Sequence, residues 1–155
     1  MGLVILQSVS LFLAGLLAGI ELLVRYGVRP ALAIFDEQAQ ILDRQGLIRR
    51  PRVVVASILV PTVLAGTATL VFTGGGPGWG FRWAAVAALL ALVLVTAPGT
   101  VPINIGIGAW SHDAPPEGWH PMVRRWGRLD VLRSSAAIMA FAFLVASMGV
   151  QLTAG

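Results

Sequence analysis

Residues 83–103 read WAAVAALLALVLVTAPGTVPI, 21 consecutive positions without a charged side chain. An α-helix needs about 20 apolar residues to cross a hydrocarbon core about 30 Å thick, so this stretch alone is long enough to span a bilayer. Working outward, three further runs have the same character: Leu3–Val24, Val53–Thr73 and Val131–Leu152. Each is apolar on every side rather than along one stripe, which argues against a soluble amphipathic bundle. Each is continuous rather than alternating, which argues against a β-barrel. Mean hydropathy is +0.83, and 12% of residues are charged against about 25% in a soluble domain. The expected fold is an all-α polytopic membrane protein, with residues 1–155 forming one four-transmembrane-helix bundle.

A net charge of +4 and a pI of 11.4 would suit a nucleic-acid binder, but the distribution of charge speaks for a membrane. All eleven basic residues are arginine. Arg25, Arg29, Arg44, Arg49, Arg50 and Arg52 fall between the first and second runs. Arg124, Arg125, Arg128 and Arg133 fall before or at the start of the fourth, and Arg82 alone lies between the second and third. Cytoplasmic loops carry the positive excess. The expectation is therefore an integral, plasma-membrane protein with both long connections in the cytoplasm and both termini outside. The partners expected are the lipid bilayer and a hydrophobic small molecule, with no nucleic acid.

The first run lacks a basic leader and is longer than a signal-peptide core of about 7–15 residues. It is expected to be a retained helix, although Ala18 and Gly19 resemble a cleavage site. The chain has no cysteine, so disulfides, thiolate chemistry and cysteine-ligated metals are excluded.

Several local patterns add detail. Gly15-Leu-Leu-Ala-Gly19 is a small-xxx-small pattern that lets two membrane helices approach closely. It serves either packing within the bundle or a homodimer through Gly15 and Gly19. Ala31–Leu47, with Leu32, Phe35, Ala39 and Leu42 near helical spacing, predicts a short interfacial linker helix without a ligand role. Gly74–Gly80 predicts a tight external turn, with Trp79 and Trp83 as interfacial anchors. Pro98 and Pro102 lack amide hydrogens, which predicts a kink or unwound turn at the end of the third run.

Polar groups inside apolar spans are functional suspects. Glu21 stands near the cytoplasmic end of the first run, four residues before Arg25, and an ion pair between them is the structural reading. Asn104 follows the third run. Trp126, Asp130 and Arg133 fall at i, i+4 and i+7, on one face of the helix entering the fourth. Alternating topology brings Glu21, Asn104, Asp130 and Arg133 to one end of the bundle, which makes them the candidate catalytic set. Asp130 with Arg133 also reads as a simple i, i+3 pair, and Trp126 as an interface anchor. His112 and His120, with Asp113 and Glu117 nearby, match no closed metal motif and read as solvated loop residues. No metal or cofactor is predicted.

The run Val101-Pro-Ile-Asn104, then Trp110, then Trp126 and Arg133 opening the last helix, resembles the DUF1772 or anthrone oxygenase-like family of small four-helix membrane proteins. The first helix, Ala14-Gly-Leu-Leu-Ala-Gly-Ile-Glu21 with Pro30 after it, is similar as well. Where family members often carry histidine three residues before the arginine, this chain has Asp130. Fungal members are associated with oxidation of anthrones to anthraquinones by dioxygen. The resemblance implies an oxidoreductase that uses dioxygen on a flat aromatic substrate. Glu21 or Asp130 would then be the base, Arg133 and Asn104 would stabilise the enolate oxygen, and Trp110 or Trp126 would stack on the rings. The alternative is a non-enzymatic membrane protein, a small transporter or an assembly subunit. A transporter's acid must be reachable from both faces, and Glu21 lies near one end.

Overall fold

A computed structural model describes residues 1–32, 46, 51–110 and 118–154, with backbone alone for 32 and 51–53. Among these residues it is helical with no strand. Four helices are long and apolar enough to cross a membrane: α1 (Gly2–Ala31), α2 (Pro51–Thr73), α3 (Trp79–Gly108) and α4 (Trp119–Ala154). They pack in a ring, α1 against α2, α2 against α3, α3 against α4 and α4 against α1.

Three of the helices outrun the expected spans. At about 1.5 Å per residue, the 36 residues of α4 make a rod roughly 54 Å long, against a hydrocarbon core of about 30 Å. Helices α1 and α3 have 30 residues each. The run ending at Val24 therefore continues to Ala31, the one ending near Ile103 to Gly108, and the one starting at Val131 begins at Trp119. Apolar length reports only the part in lipid. Helix length is set by the backbone, which continues wherever no breaker stops it.

Prolines shape two helices without ending them. Pro61 sits inside α2. In α3, where a kink or unwound turn is expected at Pro98 and Pro102, the chain forms a π-helical turn, Thr96–Thr100, that leads directly into Val101–Gly108. A wider turn accommodates missing amide hydrogens without breaking the rod. A second π-helical turn, Leu23–Val28, lies in α1.

The packing is small inside and large outside. Ala14, Ala18, Ala85, Ala137 and Ala140 are buried with Leu17, Leu89 and Leu92, while Phe12, Leu64, Phe72, Leu94 and Leu152 are exposed. Small residues let membrane helices approach closely, and lipid tails solvate the large ones. A Cβ on Gly15 would come 3.1 Å from Phe141 Cε2 of α4, whereas Gly19 has nothing within 4 Å and is exposed. Gly15 thus serves packing inside this chain, and Gly19 lies on the open surface.

The turn between α2 and α3 is anchored by Arg82. The sequence counted this residue with the loop, but it belongs to α3 and is 1% exposed. It donates to Gly74 O at 2.9 Å, Pro77 O at 3.1 Å and Ser147 Oγ at 3.4 Å. Gly78, at φ +78°, opens α3 and lies hard against Ser147 of α4. Nearby, Gln7 donates to Thr73 Oγ1 and Gln151 Oε1, which ties the start of α1 and the end of α4 to this same end of the bundle. Trp79 and Trp83 are exposed and edge-on to each other. The interfacial linker helix expected at Ala31–Leu47 lies mostly outside the described residues.

Candidate functional site

At the other end, where the arginines gather, α1, α3 and α4 bring together the polar groups singled out in the sequence. Glu21 is 1% exposed and Asp130 1%. Neither forms the pair its own helix offers. Arg133 of α4 donates through Nη2 to Glu21 Oε1 of α1. Arg29 of α1 donates through Nη1 to Asp130 Oδ2 of α4 at 3.2 Å. Arg25 donates to neither acid. Its Nη1 reaches Ser134 Oγ and Ser135 Oγ, each at 3.2 Å, and its guanidinium lies 5.0 Å from the ring centre of Tyr26. The expected Glu21–Arg25 and Asp130–Arg133 pairs are therefore replaced by pairs across the α1–α4 contact. Both acids are buried and α1 packs against α4, so donors from the facing helix are within reach of them.

Local sequence makes room for these contacts. Gly127 is buried, and a Cβ there would fall 2.6 Å from Arg29 Nη2. A side chain at this position would have to displace the end of the guanidinium that reaches Asp130. The π-helical turn Leu23–Val28 carries Arg25, whose guanidinium reaches Ser134 and Ser135.

The network leaves capacity unused. Glu21 Oε2, Asp130 Oδ1, Arg133 Nε and Thr100 Oγ1 are buried without a hydrogen-bond partner. A buried unpaired polar atom costs about 1–3 kcal/mol, more if charged. Three of these four belong to residues of the predicted set. The fourth, Thr100, closes the π-helical turn of α3 and is 1% exposed.

Asn104 is joined to the cluster's helix by Trp126, whose Nε1 donates to Asn104 Oδ1 at 3.0 Å. Trp126, Asp130 and Arg133 do share one face of α4. Trp110 is placed differently. It packs edge-on against Trp119 at 6.3 Å, and Trp119 stacks on His120 at 4.2 Å. His120, expected as a solvated loop residue, is exposed but stands on the first turn of α4 against an aromatic face. His112 lies outside the described residues. Among the described residues no three of His, Asp and Glu gather as a metal site would require.

The sequence model of the anthrone oxygenase family matches residues 47–143, well over half of the chain. The chain belongs to the anthrone oxygenase family. No curated protein and no solved structure matches it. The stretch matched to the anthrone oxygenases contains Asn104, Trp110, Trp126, Asp130 and Arg133 but not Glu21, Arg25 or Arg29. The α1 half of the ion-pair network is thus supplied from outside the matched region.

Sequence reasoning missed Arg29 and Thr100 and gave Arg25 the wrong partner. The arginines were used to assign topology, yet Glu21, Arg25 and Arg29 recur at four-residue spacing, a pattern that could have marked one polar face. Nothing in the sequence distinguished Thr100 from the other hydroxyls of the apolar runs.

Proposed function

We propose that this protein oxidises a hydrophobic aromatic compound of the anthrone type with dioxygen, at the arginine-rich end of the bundle. The observation that carries this reading is the group of buried, unpartnered polar atoms that α1, α3 and α4 contribute toward this end of the bundle. An anthrone is apolar enough to reach such a site from the bilayer, and its methylene is acidic. The unpartnered oxygen of Glu21 or Asp130 takes a methylene proton, as a positioned general base does. Arg133 and Asn104 stabilise the enolate oxygen, and Trp126 presents an aromatic face to the rings, as Trp110 does further along. The enolate carbon then adds dioxygen, and loss of water from the resulting hydroperoxide leaves the second ketone. Two hydrogens leave as water with one oxygen atom, and the other oxygen stays on the ring. This sequence of steps calls for no cofactor. In the topology we propose, this end faces the cytoplasm.

The transporter alternative meets a physical obstacle. Leu17, Leu89, Leu92, Ala137 and Ala140 form an apolar core between the acids and the polar group of Gln7, Ser147 and Gln151. An acid that alternates between faces would have to cross that core.

The test is oxygen uptake by the detergent-purified chain supplied with a simple anthrone, with metals assayed in the same sample. Arg133→Ala is the control. Uptake above the spontaneous rate is expected, cut by about 100-fold or more in a variant that keeps its helicity. No uptake above that rate, or an unimpaired variant, overturns the reading.

A further inference from the structure

Arg124, Arg125 and Arg128, in the first turns of α4, take no part in the network around Glu21 and Asp130. Each is exposed, and among the described residues none of them has a hydrogen-bond or ion-pair partner. Glu21 and Asp130, the acids among the described residues, are both buried. The three guanidiniums stand on a helix that runs without a break from Trp119 to Ala154. Arg125, Arg128, Leu132 and Met139 follow at steps of three, four and seven residues, which is one side of a helix, with Arg124 beside them. The opposite side carries Gly127, Ser134 and Ala137, all buried in the bundle. Leu132 is 56% and Met139 46% exposed, as residues that meet acyl chains are. At about 1.5 Å per residue, Arg128 stands about 6 Å and Arg125 about 10 Å beyond Leu132 along the axis. The headgroup layer on each side of the hydrocarbon is roughly 5–8 Å deep, and a long arginine side chain can lay its stem on apolar surface and place its charge in that layer. The opposite end of the bundle differs. Its arginine, Arg82, is 1% exposed and is spent on the turn between α2 and α3.

We propose that this side of α4 seats an anionic phospholipid of the leaflet at the arginine-rich end, its phosphate on Arg124, Arg125 and Arg128 and an acyl chain along Leu132 and Met139. Charge complementarity selects the phosphate, since guanidinium forks match phosphate oxygens. The lipid-facing residues on the same stripe select a phosphate that carries chains. A zwitterionic lipid brings a second cation to three arginines, and a soluble phosphate leaves Leu132 and Met139 without a partner from the same molecule. The rigid helix holds cations and apolar track in one register, so both parts of one lipid are met together. The seat lies on the side of α4 turned away from the bundle, whereas Asp130 lies on the buried side. It is therefore independent of the oxygenase reading. It fixes the depth of the helix that carries Asp130 and Arg133.

The test is native mass spectrometry of the full chain released from a non-ionic detergent, with phosphatidylglycerol and phosphatidylcholine of identical acyl chains supplied in equal amounts. Retention of phosphatidylglycerol over phosphatidylcholine is expected. An arginine near the membrane surface contributes about fivefold to the binding of an anionic lipid. The triple variant Arg124→Gln, Arg125→Gln, Arg128→Gln should therefore lose about 100-fold in affinity, and the preference with it. Changing the same three residues to lysine keeps the charge and should retain most of the preference. All three positions are exposed, so the helices should survive, and far-UV circular dichroism checks that they do. A folded R124Q/R125Q/R128Q variant with the wild-type preference overturns the proposal, as does a wild-type chain that retains the two lipids equally. Displacement of phosphatidylglycerol by equimolar glycerol 3-phosphate, which has the phosphate without the chains, also overturns it and gives the arginines to a soluble anion.

Discussion

Replacing Arg133 with methionine strips Glu21 of its one hydrogen-bond donor. Glu21 is 1% exposed, its Oε2 already has no partner, and Arg133 is the donor to Oε1. Arg133 also acts electrostatically on Asp130, and the two acids repel each other. Removing it leaves two buried carboxylates with only Arg29 bonded to one of them. Breaking a buried pair from one side costs about 3–5 kcal/mol, while exchanging both partners for apolar residues of similar volume is often neutral or stabilising by about 1–4 kcal/mol. Arg133→Met is therefore expected to lose about 3–5 kcal/mol of stability. Glu21→Met should lose a comparable amount, since it leaves Arg133 with both Nε and Nη2 unmatched. The double variant should return to within about 2 kcal/mol of wild type. Equilibrium unfolding in mixed micelles, followed by far-UV circular dichroism, closes the double-mutant cycle. Contacting residues couple, whereas independent sites add within about 0.5 kcal/mol. A double variant whose loss equals the sum of the singles would refute the assignment of these two residues to one buried pair.

Two glycines of α4 should respond oppositely to the same change. Gly127→Ala pushes Arg29 off Asp130, at about 1.5–3 kcal/mol for a charged hydrogen bond, partly offset by about 1 kcal/mol of helix propensity. Gly149, with nothing within 4 Å, gains only the propensity, so Gly149→Ala should raise the thermal midpoint while Gly127→Ala lowers it. A rise in both would mean that Arg29 does not need the space at Gly127. At the other end, Gly78→Ala forces a side chain into the left-handed region, at about 1–2 kcal/mol, and places Cβ 2.7 Å from Ser147 O. A loss above 2 kcal/mol is expected, against little change for Gly75→Ala, where space is open. Equal midpoints for the two variants would show that the turn is not seated on α4.

The four helices were legible because transfer into lipid is a local property that adds along the chain, and 21 uncharged residues at 83–103 settle it without neighbours. The shared face of Trp126, Asp130 and Arg133 was legible because helical period is local too. So was the gathering of Glu21 and Asn104 at the same end, which follows from alternating helix direction. Partner choice was not legible. From the sequence, Glu21 belongs with Arg25 and Asp130 with Arg133, since four- and three-residue spacings are all that one helix can show. The fold reassigns both because the acids are buried where α1 packs against α4, and donors from the facing helix are within reach of them there. Arg82 reads as a loop residue and is instead the buried clasp of the α2–α3 turn. Gly15 and Gly19 read as one surface and divide between Phe141 and open space. The sequence by itself determined that the chain is four membrane-length helices with all but one of its arginines gathered at one end. Only the tertiary structure decided which charges neutralise one another and which atoms stay unsatisfied, because those depend on side-chain directions across helix contacts that no single-helix periodicity encodes.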